Sequence, residues 1–379
     1  MKRYLIIGNG VAGTTAAQEI RKNDPHGRIT LVTEETIPFY SRIRLPDYLA
    51  GILEKPDLII KKDQWYIDHK IDLKTGITIT GIDHAGREAM DQDGNIWKYD
   101  SLLISTGSSP FIPPIKGNSR KNVFALRTFE DAGNIMQAAG NASNAVVIGG
   151  GLLGLEAAHA LIKKGVTVTV VEFFDRLLPR QMDNQGALLL KEMLEKKDFN
   201  FRLNAKTKEI KGDKAVTGVE LESGEMLPAD LVLFSAGVRS NLDLPVKLGL
   251  KIDRGVMVNA HMRTSLQEIY AAGDVAQFEQ TNFCIWPEAQ AQGKIAGANM
   301  AMASKTFEPI VPSTRLKVAG IDLGSAGDID AEDLLKNEIE KSDQKYRKLV
   351  KKDGKLVGCI MLGNISDFSH MVKQIGLKQ

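Results

Sequence analysis

The strongest constraint on this chain is a pattern that occurs twice. Residues 7–13 read IGNGVAG and residues 147–156 read VIGGGLLGLE, about 140 positions apart. Each follows a short apolar run and opens a segment of small residues with helical spacing. Gly8, Gly10 and Gly13, and again Gly149, Gly151 and Gly154, fit the spacing G-x-G-x-x-G. There the first glycine permits a tight turn, and the second lets the backbone approach a pyrophosphate. The third lets helix and strand pack closely, which leaves the helix N-terminus to carry the anion. Val11 and Ala12 in one copy, and Leu152 and Leu153 in the other, complete the turns.

An acidic residue closes the next strand in both copies. Glu34 stands 21 residues beyond Gly13 in RITLVTE, with Glu35 as its alternative, and Glu172 stands 18 residues beyond Gly154 in VTVTVVE. A carboxylate at that place accepts from a ribose hydroxyl. At the second turn it favours the free 2′-hydroxyl of NADH, while the nearby Arg176 keeps an NADPH reading open. A tight strand-to-helix turn with no ligand explains one copy alone. Two copies, each with its acid, point to two dinucleotide sites.

The rest of the chain has the organisation such sites need. With 379 residues, 43% of them hydrophobic, it is long enough for two or three domains with proper cores. RYLII, VAGTTAAQEIRKND and RITLVTE form a βαβ unit, and AVVIG, LLGLEAAHALIKKG and VTVTVVE repeat it. Such units require a parallel sheet covered by helices. Pro110, Pro113 and Pro114 cannot continue a sheet, which places a domain crossing near residue 115. WPEAQAQGKIAGANMAM reads as a long helix. Beyond residue 306 the pattern turns β-rich, with a hairpin predicted around Asp353-Gly354, where the turn needs positive φ.

Other classes are excluded by composition. A net charge of +2 is too balanced to argue for nucleic acid or a membrane surface. Cys284 and Cys359 are the two cysteines, 75 positions apart, so neither a zinc site nor a disulfide framework is expected, and no metal is. The start MKRYLII is a strand rather than a signal peptide, because GNGVAG breaks the apolar run, and no stretch approaches 18 apolar residues. The expectation is a cytoplasmic protein.

The two turns, followed in order by STGSSP (Thr106, Gly107), GVRSN (Gly237, Arg239) and YAAGDVA (Gly273, Asp274), resemble the two-dinucleotide-binding flavoproteins of the pyridine nucleotide-disulfide oxidoreductase superfamily. The resemblance covers roughly residues 1–305. It implies an α/β fold of two Rossmann-like domains: an FAD domain of residues 1–115 and 240–305, and an NAD(H) domain of residues 116–239. A small C-terminal α+β domain of residues 306–379 follows. It implies that Gly8 to Gly13 and Glu34 hold the FAD adenosine and pyrophosphate, and that Arg42 pairs with an FAD phosphate. Asp274 would bond the ribityl chain, and Trp286 with the helix from Pro287 would face the flavin pyrimidine edge. Ile79, Thr106, Gly107 and Gly273 complete the FAD set, and Gly237 the NAD set. Glu156 is the candidate for positioning the nicotinamide amide, and reads equally as a polar residue of its helix.

The branch is set by what stands after the first unit. Disulfide reductases carry redox cysteines there, whereas this chain reads IPFYSRIRLPDYLAG. PFYSRIRL resembles ferredoxin and rubredoxin reductases. The ferredoxin reductases continue with Ser-Lys, whose Lys pairs with the counterpart of Glu156. Pro46-Asp47 stands here, leaving Arg44 as the nearby substitute. TRLKVAGIDLGSAGD resembles NADH:rubredoxin oxidoreductases and the flavin module of nitrite reductases. The basic run YRKLVKK suits docking of an acidic carrier, or equally a solvated strand edge guarded by lysines. The implied activity passes electrons from NADH through FAD to a one-electron carrier such as rubredoxin or a ferredoxin, with no catalytic side chain. Direct reduction of O₂, as in an NADH oxidase, and a flavin-bound NADH sensor are the alternatives. Cys284, two residues before Trp286, reads first as a packed core residue.

Overall fold

RYLII and NAVVI each occupy the centre of a five-stranded parallel sheet, as buried apolar runs flanked by helical segments should. The computed structural model describes residues 1–282 and 284–376. The chain divides into a first unit, Met1–Ser41, Lys55–Ser109 and Val238–Ile310, and a second, Arg42–Glu54, Pro110–Gly237 and Val311–Gln379.

In the first unit the strands run in the order Ile269–Ala271, Ser101–Ile104, Arg3–Ile7, Arg28–Thr33, Ile71–Thr75, every pair parallel. Ile7 lies opposite both Val32 and Ile104. The helices Val11–Asn23 and Trp286–Met300 pack so tightly that a Cβ on Gly293 would sit 2.4 Å from the Ala12 carbonyl oxygen. A Cβ on Gly297 would sit 2.5 Å from that of Ala16. Small residues therefore set the spacing of this helix pair, while Ile20 and the strand residues fill the core. Each such aliphatic side chain contributes about 1.5–3 kcal/mol by burial.

The second unit repeats the scheme: Phe199–Arg202, Thr167–Val171, Asn144–Ile148, Leu231–Phe234, Val123–Ala125, again all parallel. It also holds an antiparallel sheet in the order Ser313–Val318, Ile321–Gly327, Lys355–Leu362, Lys345–Lys352, Lys336–Ser342. The predicted hairpin is there, with φ of 51° at Asp353 and 78° at Gly354. One face of this sheet is covered by the helix Phe368–Gly376, whose Phe368 and Met371 pack with Cys359 and Met361. From the other face Tyr346 and Lys348 reach Asp183, the N-cap of the helix Asn184–Glu195. The fold class is the predicted one. No helix among the described residues is long and apolar enough to cross a membrane.

The basic run YRKLVKK is not the solvated strand edge that one sequence reading expects. Its strand lies between two others and is not an edge. Lys348 is fully buried, with its ammonium 3.2 Å from Asp183, 2.6 Å from Asp333 and 2.7 Å from the Asp330 carbonyl. Arg347 pairs with Glu340 and Lys351 with Glu338, both on the exposed outer strand. The partners lie on the neighbouring strand, in the turn before it and, for Asp183, far away in sequence, so the run itself does not reveal them.

Candidate functional site

The two glycine turns have the same backbone. Gly8 has φ 112° and Gly149 φ 120°, and their N–H groups donate to Val32 and Val171 carbonyls at 2.8 Å in both cases. A Cβ on Gly8 would lie 2.2 Å from the Ser105 carbonyl oxygen, and one on Gly149 2.3 Å from that of Ser235. Gly13 and Gly154 face the same limit from inside the turn. Their Cβ atoms would sit 1.9 Å and 2.2 Å from the Gly8 and Gly149 carbonyl oxygens. The middle glycines are the reverse case: nothing lies within 4 Å of a Cβ on Gly10 or Gly151. Two glycines of each triplet are therefore needed for the turn, and one leaves an open side.

That open side is where each helix begins. The helices Val11–Asn23 and Leu152–Lys163 start after Gly10 and Gly151 with no side-chain cap, and their first intrahelical bonds are Thr14 N to Gly10 O and Leu155 N to Gly151 O, both 3.0 Å. The N–H groups of Val11, Ala12 and Gly13, and of Leu152, Leu153 and Gly154, precede those bonds and carry the positive end of the helix dipole. Phosphate oxygens satisfy such groups.

A serine behind each turn was not anticipated. Ser105 and Ser235 follow the strands Ser101–Ile104 and Leu231–Phe234, and both donate their N–H at 2.8 Å, to Ile7 and Ile148. Ser105 Oγ also donates to Ile7 O at 2.9 Å and lies 3.1 Å from Gly8 O. The signal was present as SLLISTG and LVLFSAG, a repeated Ser-x-Gly after a buried strand, with positive φ at Gly107 and Gly237.

The acidic residues are not equivalent. Since Val32 and Val171 hold the same register, Thr33 is the structural counterpart of Glu172, and Glu34 lies one residue later. Glu34 is exposed; Glu35 is half-buried and accepts from Tyr40 Oη at 2.5 Å. Glu172 is only 5% exposed, with Oε2 accepting from Gly150 N at 2.5 Å and Oε1 from Phe174 N at 2.9 Å. Arg176 pairs with Asp175 at 3.0 Å.

Thr106, Gly273 and Asp274 follow the strands Ser101–Ile104 and Ile269–Ala271 of the same sheet. Gly273, φ 81°, approaches Ala12 and donates its N–H to Gln292 Oε1 at 2.9 Å. Asp274 accepts from Ser108 Oγ at 2.7 Å, while Thr106 O accepts from Asn241 Nδ2 at 2.8 Å. Trp286 begins its helix with its ring 5.8 Å from that of Phe39, and Ile79 is buried in the core. Cys284 Sγ lies 2.8 Å from Asn282 Oδ1.

In the second unit Arg42 lies in the short 3₁₀ turn Arg42–Arg44, and Arg44 pairs with Asp47 at 3.5 Å rather than with Glu156. No ion pair reaches Glu156 among the described residues. Burial pushes its carboxyl up to about 8, and the Asp47 carboxylate adds to the rise. At neutral pH it is a hydrogen-bond donor.

Comparison with known proteins gives two family matches: "Pyridine nucleotide-disulphide oxidoreductase" over residues 2–293, and "Rubredoxin NAD+ reductase C-terminal domain" over residues 312–378. A nitrite reductase (NAD(P)H) of Bacillus subtilis is 34% identical over 99% of this chain, which spans 47% of that protein. The chain thus covers about half the length of that relative. An NADH-rubredoxin oxidoreductase of Clostridium acetobutylicum is 32% identical, over 98% of this chain and 94% of its own length. The crystal structure of a ferredoxin reductase for the CYP199A2 system from Rhodopseudomonas palustris superposes with a TM-score of 0.90 at 26% identity, covering 97% of this chain and 93% of that one.

Proposed function

The chain belongs to the pyridine nucleotide-disulphide oxidoreductase family, whose chemistry uses a flavin and a pyridine nucleotide, and from that premise we propose that it passes electrons from NADH through FAD to a small one-electron carrier protein. The observation that carries this reading is the duplicated turn, with an open middle glycine and an uncapped helix start in each unit. A relative spanned by this chain over 94% of its length is an NADH-rubredoxin oxidoreductase. Rubredoxin or a ferredoxin, acidic at its contact surface, is the acceptor class proposed. Residues 1–115 with 240–305 would serve FAD, 116–239 NAD(H), and 306–379 the C-terminal part.

FAD, when bound, would supply the redox chemistry of hydride acceptance from NADH and one-electron release. The side chains bind and orient. The N–H groups after Gly10 hold the FAD pyrophosphate, with Glu34 or Glu35 on the ribose, and Arg42 is assigned to a phosphate. Asp274, fixed by Ser108, holds the ribityl chain, and Trp286 stands at the helix start assigned to the pyrimidine edge. After Gly151 the same N–H geometry holds NADH. Glu172 has lone pairs left for a ribose hydroxyl beyond its two backbone bonds, and its buried charge disfavours a 2′-phosphate, so NADH is preferred over NADPH. Glu156, protonated at pH 7, donates to the nicotinamide carboxamide oxygen.

The test is a visible spectrum followed by anaerobic stopped-flow. Flavin bands near about 370 and 450 nm should bleach with NADH and little with NADPH. Recovery should be fast with rubredoxin or ferredoxin. Recovery in air at the same rate would make the protein an NADH oxidase, and slow recovery with every acceptor would make it a sensor.

A further inference from the structure

The residue between the first two glycines differs between the turns, and in the first turn it is an asparagine with an unused donor. Asn9 is 8% exposed. Its Oδ1 accepts from Thr14 Oγ1 at 3.1 Å and from Tyr66 Oη at 3.0 Å. Phe39 N–H donates to Tyr66 Oη at 3.2 Å, Thr14 also bonds that hydroxyl, and Asn9 presents its oxygen to both side chains. Asn9 Nδ2 is then turned away from both hydroxyls. It is buried and has no hydrogen-bond partner among the described residues.

A buried amide donor with no acceptor is costly, and such groups are found satisfied in native structures. Here the missing acceptor coincides with two other unfilled features: the open side at Gly10 and the uncapped start of the 13-residue helix Val11–Asn23. All three belong to one turn. The second turn lacks this donor. Gly150 stands in the place of Asn9, and a Cβ there would lie 2.9 Å from Leu177 Cδ2 and 3.0 Å from Glu172 Oε2, so a side chain there would have to displace these two. The backbone N–H of Gly150 is already given to that carboxylate.

We propose that Asn9 is a binding residue for the dinucleotide of the first turn, its Nδ2 donating to a pyrophosphate oxygen while Tyr66 and Thr14 hold the amide in place. The inference rests on the reading that the first turn takes FAD. It separates a turn built to retain its dinucleotide from one built to exchange it: the first adds a charge-assisted donor to the helix N–H groups, whereas the second sets a carboxylate against its own glycine turn.

The full-length protein, stripped of flavin, is titrated with FAD and with ADP by calorimetry, and its melting is recorded without ligand. Asn9→Gly, which gives the first turn the residue of the second, should weaken FAD and ADP alike by roughly tenfold or more. Asn9→Asp keeps the acceptor for Tyr66 and Thr14 and replaces the donor by an anion. It should weaken both ligands further, with the ligand-free melting temperature close to wild type. FAD affinity unchanged in Asn9→Gly, or in Asn9→Asp should the glycine variant not fold, would overturn the proposal. So would a loss for FAD with ADP unaffected, since the pyrophosphate is common to both. Wild-type protein binding neither ligand would refute the FAD reading itself, and the inference with it.

Discussion

The two glycine turns are the same backbone put to different use. Both have a first glycine at positive φ against a serine carbonyl, a third glycine against the first, and an open second glycine. They part at one residue and one register step. Asn9 brings a spare donor to the first turn, and the acid that follows its strand is exposed and displaced. Gly150 brings nothing to the second, and Glu172 is buried directly against it. On the proposed function, shared geometry supplies phosphate binding, and the differences set how firmly each nucleotide is held and which ribose is accepted.

The largest effect expected from breaking the comparison comes from the third glycines. Gly13→Ala puts a methyl group 1.9 Å from a backbone carbonyl and Gly154→Ala does so at 2.2 Å, where nothing can yield without moving the turn. Gly13→Ala should purify without flavin. Gly154→Ala should keep its flavin, measured as yellow colour per protein, and lose reduction by NADH. If Gly154→Ala lost its flavin as well as its reduction by NADH, the two sites would not be separable.

A second test concerns the second unit, where a buried ion cluster ties a helix start to a sheet. Lys348→Ala leaves Asp183 buried beside Tyr346 without its cation, which should cost about 3–5 kcal/mol in urea unfolding. Flavin bound at the first turn should be retained under native conditions.

Smaller effects sharpen the acids. Glu172→Gln keeps an acceptor for the ribose and removes the charge, so the preference for NADH over NADPH, taken as the ratio of kcat/KM values, should narrow by about tenfold. The same change at Glu34, which is exposed, should leave that ratio unaltered. Glu156→Gln should act through pH. The folded protein holds a proton on Glu156 up to about 8, whereas an ordinary glutamate releases it near 4.5. Stability therefore falls as pH rises from about 4.5 to 8. The glutamine variant escapes that loss, gaining on the order of 1 kcal/mol by thermal melting at pH 8.5 and almost nothing at pH 4.

What the sequence made legible was local. Both glycine triplets, their strands and helices, and the Asp353-Gly354 hairpin could be read because each depends on residues within one short segment. The register difference between Glu34 and Glu172 could not, because it is set by pairing with strands about 25 residues away; counting from the glycines gave 21 and 18 without saying why. Ser105 and Ser235 act on turns that are 97 and 86 positions earlier, measured to Gly8 and Gly149. Lys348 looked like one charge in a basic run, yet its partner Asp183 is 165 positions away. Asn9 sat inside the motif and was passed over, since its meaning lies in Tyr66 and in a donor left over after that bond is made.

The central claim is that the second turn binds the NADH that reduces a flavin held at the first. The direct measurement is an anaerobic NADH titration, followed at about 450 nm, of flavin-loaded wild type and Gly154→Ala side by side. The account predicts stoichiometric bleaching of the wild type and a variant that stays yellow at the same NADH concentrations. Equal bleaching of the two proteins would contradict it.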